Sequence, residues 1–376
     1  MENIQMVDLH AQYMRLKSDI DKGIQEVIDS TAFINGPIVS RFSNELAKYL
    51  GSKHVIPCAN GTDALQIALM AAGVGPGDEV ITTDFTFIAT VEVVALLGAK
   101  PVLADVDPND FTIDVKNLES LITANTKAIV PVHLFGQCAN MSAIMEIAKK
   151  HNLIVIEDTA QAIGSDYFLK GSPHKAGTMG HFGCTSFFPS KNLGCYGDGG
   201  ALYTNDDELA AIAKSITNHG SVVKYHHDRI GVNSRLDAMQ AAILMVKLPQ
   251  LDDFNRRRQA AAIFYDHYLK LIPEVQIPEK RDDSTHTYHQ YTIKVPRGLN
   301  VELQKYLAER NIPAMIYYPI PLHRQEAFIN WTDEREFPVS DELAQSVLSL
   351  PMHTELNKEQ LLLICQTVKD FFDAKR

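Results

Sequence analysis

The sequence predicts an α/β fold: a large domain on a mostly parallel central sheet, followed by a smaller α+β domain. Three observations carry this. Between about residues 50 and 205, short runs of Val, Ile and Leu alternate with stretches of helical periodicity. Those runs are almost continuously apolar, as befits strands covered on both faces. From Asn233 onward the pattern changes to one long helical stretch and then to a shorter mixture of strands and helices. The boundary is expected near residue 250, giving a large domain over 1–250 with an N-terminal helix and a small one over 251–376.

In chain order, "DEVITT" reads as a strand, "ATVEVVALLGA" as a helix and "KPVLADV" as the next strand. "TKAIVPVHLFG" is a strand, "MSAIMEIAKKHN" a helix, and "LIVIEDTAQ" a strand ending in polar residues. "CTSFFP" and "GGALYTND" read as two more short strands. The stretch from "NSRLDAMQAAILMVKL" to "DHYLKLI" reads as a long helix linking the two domains. "YHQYTIKV" (strand), "VELQKYLAERN" (helix), "IPAMIYYPIPL" (strand to loop) and a final helix from Lys358 complete the small domain. In parallel α/β sheets, ligands bind beyond the carboxyl ends of the strands, so the polar residues there are the first candidates for chemistry.

The chain has 376 residues, 45% hydrophobic and 22% charged, ordinary values for a globular protein large enough to bury a sizeable core. A net charge of −11 argues against a general nucleic-acid or anionic-membrane surface. The five cysteines are scattered without a Cys-x-x-Cys pair, which suits reduced thiols in the cytoplasm. The first twenty residues lack an apolar signal core and no window approaches a membrane span. A cytoplasmic location is expected.

Asp158 ends a strand that should be buried, where an ionised carboxylate needs a positive partner or hydrogen bonds. A protonated pyridine nitrogen is one such partner; capping a helix opened by "DTAQ" is the other reading. Asn60, Gly61 and Thr62 precede an apolar helix whose free N–H groups could receive a phosphate, or could be an ordinary cap. Neither GxGxxG nor GxxxxGK[ST] is present, which removes the dinucleotide and P-loop fingerprints. Lys191 sits in "SFFPSKNLGCYGDGG" between an apolar run and a glycine-dense turn, and a desolvated amine is a good nucleophile toward an aldehyde. Phe87 could stack on a planar ring or simply pack. Lys224, His226, His227, Arg229 and Arg235 form a basic segment suited to a diphosphate or carboxylate. Its histidines lack zinc spacing, so no metal is expected.

Taken in order, "NGTDAL", "FTFIAT", "IEDTAQ", "SFFPSKNLGCYGDGGAL" and "GVNSRLDAMQAAIL" resemble the DegT/DnrJ/StrS sugar aminotransferases, and the likeness extends from "VDLHAQY" to "SLPMH". It implies the aspartate-aminotransferase-like fold, known as fold type I, and pyridoxal 5'-phosphate as cofactor. It also implies a role for each candidate. Lys191 would hold the cofactor covalently and shuttle a proton, Asp158 would keep the pyridine nitrogen protonated, and Gln161 would bond the phenolic oxygen. Phe87 would stack on the ring, and Gly61, Thr62 and Ser186 would hold the phosphate. Asn233 would reach the phosphate from a neighbouring subunit, implying a homodimer with shared active sites.

Within the family, "CANGTDALQIAL", "YHHDRIGVNSRLD", "YYPIPL" and "SLPMH" most resemble the group acting on UDP-2-acetamido-2-deoxy-3-oxo-glucuronate. That implies L-glutamate as amino donor and a 3-amino sugar destined for surface polysaccharide such as lipopolysaccharide O-antigen. Arg229 and Arg235 would meet the substrate's anionic groups, Arg235 across the dimer, with Tyr317 and Tyr318 as further substrate contacts. Where that group carries His-Tyr before "PIPL", this chain carries Tyr317 and Tyr318. Two other readings stand beside it. One is an aminotransferase for a neutral dTDP- or UDP-linked 3-keto or 4-keto deoxysugar. The other is a cofactor-binding regulatory protein without turnover, against which the complete set Lys191, Asp158, Gln161 and Ser186 counts. A partner dehydrogenase supplying the short-lived ketosugar is also expected.

Overall fold

The computed structural model describes residues 4–329, 331 and 335–376. Two helices open the chain, α1 (Leu9–Ser30) and α2 (Pro37–Leu50). Asp8 caps α1 by accepting from the Ala11 N–H. In α2, Pro37 takes the first position, where its missing N–H costs nothing, and Gly51 ends the helix at φ 68°.

Next come β1 (His54–Cys58), α3 (Gly61–Ala71), β2 (Glu79–Thr83), α4 (Ala89–Leu96) and β3 (Lys100–Ala104). A four-residue helix, α5 (Val115–Leu118), precedes β4 (Thr126–Val130), α6 (Met141–His151) and β5 (Ile154–Asp158). The hairpin of β6 (Asp166–Leu169) and β7 (Ser172–Lys175) leads to β8 (Phe182–Ser186), β9 (Gly200–Thr204) and α7 (Asp207–Ile216). A small hairpin follows, β10 (Ser221–Val223) with β11 (His226–His227).

Seven strands form the central sheet in the order β1-β9-β8-β5-β4-β2-β3. Within it, β3, β2, β4, β5 and β8 pair in parallel, while β9 runs antiparallel to both its neighbours. Every residue of β2, β8 and β9 is buried, as strands covered on both faces must be. On one face Leu65, Leu69, Val94 and Ile216 pack against Ile56, Val80, Ile156 and Leu202. On the other, Ile144 and Ala148 of α6 meet Ile81, Ile129 and Val155. This topology brings the carboxyl ends of β1, β2, β4, β5 and β8 to one edge.

The long helix expected after Asn233 is in fact two, α8 (Ala238–Lys247) and α9 (Leu251–Leu269), joined by a 3-10 turn at Leu248–Gln250. Pro249 supplies the physical reason, since it has no N–H for a continuous ladder. The chain ends with β12 (Tyr291–Lys294), α10 (Leu299–Ala308), α11 (Pro338–Ser346), β13 (Val347–Leu350) and α12 (Lys358–Asp373). "IPAMIYYPIPL" does not form the expected strand; Met315 alone bridges Ser349. Tyr265, Tyr291, Leu303, Leu348, Ile364 and Phe372 centre a separate core drawn from residues 261–372 together with Ile4.

Candidate active site

At the strand-end edge lies a cavity of about 360 Å³ that collects Gly61, Thr62, Phe87, Asp158, Gln161, Ser186, Lys191, Tyr317 and Tyr318. They come from segments spread over 257 positions of chain, and each reaches the cavity for a local reason.

Asn60 caps α3, its side chain accepting from the Asp63 N–H at 2.8 Å. That leaves the N–H groups of Gly61 and Thr62, the first two of the helix, outside its own hydrogen-bond ladder. Gly61 lies so near β8 that a Cβ added there would meet the Ser186 Cβ at 2.7 Å. On the other side Gly200 lies so near Asn60 that its Cβ would meet the Asn60 carbonyl oxygen at 2.3 Å. Two glycines therefore let the α3 terminus, Ser186 and β9 converge. Ser186 Oγ accepts from the Phe188 N–H at 3.2 Å.

Asp158 is 6% exposed at the end of β5. Its Oδ2 accepts from the Thr90 hydroxyl at 2.8 Å and its Oδ1 from the Ala160 N–H at 3.1 Å. A turn, not a helix, follows it, so one oxygen caps a turn while the group still faces the cavity. Its chain neighbour Glu157 points to the opposite face of the strand, fully buried, where it accepts from His133 and from the N–H groups of Gly177, Met179 and Gly180.

Gln161 is oriented by the Phe135 N–H, which donates to its Oε1 at 2.7 Å, so its Nε2 donates to the Tyr318 hydroxyl at 3.0 Å. Burial, with Asp158 nearby, pushes the Tyr318 phenol well above its ordinary range and keeps it protonated. Phe87 stands at the cavity edge, 55% exposed, its ring centre 6.5 Å from that of Tyr318.

Lys191 is half-buried as a whole residue, and burial nevertheless pushes its ammonium down to about 8, with Asp158 opposing. Among the described residues no protein group hydrogen-bonds or ion-pairs with that amine. The turn around it is firmly held: the Cys195 N–H donates to the Phe187 carbonyl at 2.8 Å, and buried Lys247 donates to the Gly194 carbonyl at 2.8 Å.

Asn233, Arg229 and Arg235 do not line this cavity within one chain. Asn233 is exposed and bridges Asn218, and the Arg229 guanidinium donates to the Ser215 hydroxyl at 2.7 Å. Two residues at the site escaped the sequence reading: Thr90, which stands behind Asp158, and His289, which lines the cavity. Thr90 sits in an apolar helix and looks like core. His289 precedes a strand in "YHQY" and also looks like core; burial, with Lys191 and Arg258 nearby, holds its pKa well below the usual histidine value. No local pattern distinguishes either from a packed residue.

The residues present fit pyridoxal phosphate on three counts. The convergence at Gly61 and Ser186 leaves a cradle that a side chain would fill. An amine of lowered pKa stands without a protein partner, and a hydrogen-bonded carboxylate faces the same cavity. A family model of DegT/DnrJ/EryC1/StrS aminotransferases matches residues 14–369. The chain belongs to that family.

Two relatives of this aminotransferase are each 48% identical to it. One is the pleiotropic regulatory protein of Geobacillus stearothermophilus, matched over 98% of this chain and 99% of that one. The other is the UDP-2-acetamido-2-deoxy-3-oxo-D-glucuronate aminotransferase of Pseudomonas aeruginosa, over 96% and 98%. Among solved structures, a DegT/DnrJ/EryC1/StrS aminotransferase from Brucella abortus superposes with a TM-score of 0.94 at 42% identity, covering 98% of this chain and 99% of that one. A Bacillus subtilis protein with bound cofactor PMP superposes at 0.89 and 31% identity, over 96% and 82%. The fold is the type I fold of pyridoxal-phosphate transferases, as the sequence led one to expect.

Proposed function

We propose that this aminotransferase uses pyridoxal phosphate to move an amino group from L-glutamate to UDP-2-acetamido-2-deoxy-3-oxo-glucuronate, giving a 3-amino sugar for surface polysaccharide. The observation that carries the reading is the meeting of Lys191, Asp158, Gln161 and Ser186 around one cavity. When bound, the cofactor supplies an aldehyde that condenses with amines and a ring that takes up the electrons of a carbanion.

The chain's own residues then have distinct tasks. The lowered pKa of Lys191 gives a fraction of free amine near neutral pH, able to attack an aldehyde and afterwards to carry a proton between substrate and cofactor carbons. Asp158, its two oxygens each held by a donor, would face the ring nitrogen. Gln161 keeps its amide donor turned toward the cavity because Phe135 fixes its oxygen. Ser186, Thr62 and the N–H groups of Gly61 and Thr62 would hold the phosphate, and Phe87 would cover the ring.

The sugar's negative groups need cations, and Arg229 and Arg235 are assigned to them, Arg235 from a second copy. We propose a homodimer in which the segment around the β10–β11 hairpin lends Asn233 and Arg235 to the neighbouring site. Supporting it, Val222, Val223, Tyr225 and Ile230 are 62–86% exposed, an apolar group that water alone would not favour. A two-domain division at residue 250, a cytoplasmic location and supply of the ketosugar by a nucleotide-sugar dehydrogenase complete the proposal.

One observation favours a neutral ketosugar on UDP or dTDP instead: no arginine lines the cavity among the described residues of one chain. A mass-spectrometric screen of glutamate with UDP- and dTDP-ketosugars separates the two. Amination of the uronate is expected; turnover of uncharged sugars alone would refute the uronate reading. Borohydride should fix the cofactor on Lys191, and a colourless protein that takes up no cofactor would sink the central claim.

A further inference from the structure

We propose that Thr90 is a positioning residue for Asp158, fixing the plane of its carboxylate. The inference rests on Asp158 facing the ring nitrogen of the cofactor.

Thr90 is the second residue of α4 and is 1% exposed. Its neighbours on that helix, Val91, Val93 and Val94, are fully buried and leave no water to meet a hydroxyl. A threonine in a helix commonly returns its hydroxyl to a carbonyl one turn earlier. Here the hydroxyl instead crosses to β5, 68 positions away in sequence, and donates to Asp158 Oδ2 at 2.8 Å. Valine would fill the same space without a polar atom to satisfy, so the hydroxyl is present for its partner.

The bond fixes an orientation. With Thr90 on Oδ2 and the Ala160 N–H on Oδ1, each oxygen has its own donor and the carboxylate cannot rotate freely.

The same turn couples this group to the ring's face. The Thr90 N–H donates to the Phe87 carbonyl at 3.3 Å, and the Val91 and Glu92 N–H groups both donate to the Ile88 carbonyl. One turn thus sets Phe87 at the cavity edge and Thr90 behind the carboxylate.

The test compares Thr90→Val, which keeps the shape, with Thr90→Ser, which keeps the hydroxyl. Apoprotein of each is titrated with pyridoxal phosphate, following fluorescence and the visible circular dichroism of the bound cofactor; kcat, KM and Tm are then measured. Thr90→Val should weaken cofactor binding roughly tenfold, alter the dichroic band and lower kcat more than it changes KM. Thr90→Ser should return all three to within about threefold of wild type. Wild-type binding and spectra in Thr90→Val would overturn the proposal, as would Thr90→Ser being equally impaired with an equal loss of Tm. If the wild-type protein itself took up no pyridoxal phosphate, the parent reading would fall as well.

Discussion

The side-chain amide of Gln161 donates to the phenol of Tyr318 across 3.0 Å, joining the turn after β5 to a loop 157 positions further along the chain. That bond ties a group assigned to the cofactor to one assigned to the sugar. Removing the acceptor with Tyr318→Phe forfeits a net contribution of about 0.5–1.5 kcal/mol, or roughly two- to thirteenfold. Cofactor affinity should change little while kcat/KM for the ketosugar falls by about that factor. An unchanged kcat/KM in steady-state assays would remove Tyr318 from the substrate contacts.

Gly61→Ala places a Cβ 2.7 Å from the Ser186 Cβ, and neither backbone can retreat cheaply because β8 is buried throughout. A destabilisation of about 1–3 kcal/mol is expected from the overpacking. Phosphate contacts on both sides of the clash should loosen together. Fluorescence titration should report cofactor affinity down at least tenfold, about 1.4 kcal/mol; a binding curve like wild type would contradict the cradle.

Lys191 costs the apoprotein stability. Its folded-state pKa of about 8 lies below the ordinary 10.5, so at low pH the folded chain carries a charge that burial disfavours. The unfolded chain binds more protons between those values, so stability rises with pH across that window and is penalised in full below it. Lys191→Met should therefore raise the apoprotein's Tm at pH 7, with the gain fading from pH 8 toward 10.5. The same variant should show no turnover. A Tm difference independent of pH would mean that the amine is not the source.

For the second copy, Tyr225→Asp with Ile230→Asp puts charge on two side chains that are 82% and 86% exposed. Neither touches the cavity, so the fold should persist. Sedimentation should find a shift toward monomer, accompanied by weaker cofactor binding as Asn233 of the neighbour is lost. A tight dimer with full affinity would place the contact elsewhere.

Much of the sheet could be read from the chain because buried parallel strands leave long Val/Ile runs, as in "DEVITT" and "LIVIED". β1 was not read, since "HVIPC" is short and contains a proline. The break at Pro249 was hidden by apolar periodicity that runs through it, and "IPAMIYYPIPL" looked like a strand because aromatic and branched residues also suit a cavity wall. Lys191 and Asp158 were legible because charged groups beside apolar runs need explanation. Thr90 and His289 were not, because a polar side chain whose partner lies far away in sequence resembles ordinary core until the elements are packed together.

Lys247 reaches from α8 to hold the Gly194 carbonyl, its ammonium 4.3 Å from the centre of the Tyr196 ring. The turn bearing the reactive amine is thus fastened by a residue made 56 positions later. During synthesis, a ribosome would have delivered every strand of the central sheet before α8 emerged, yet the lysine loop would still lack its anchor. A nascent chain stalled ahead of Lys247 should present a nearly complete sheet with an unfastened reactive loop.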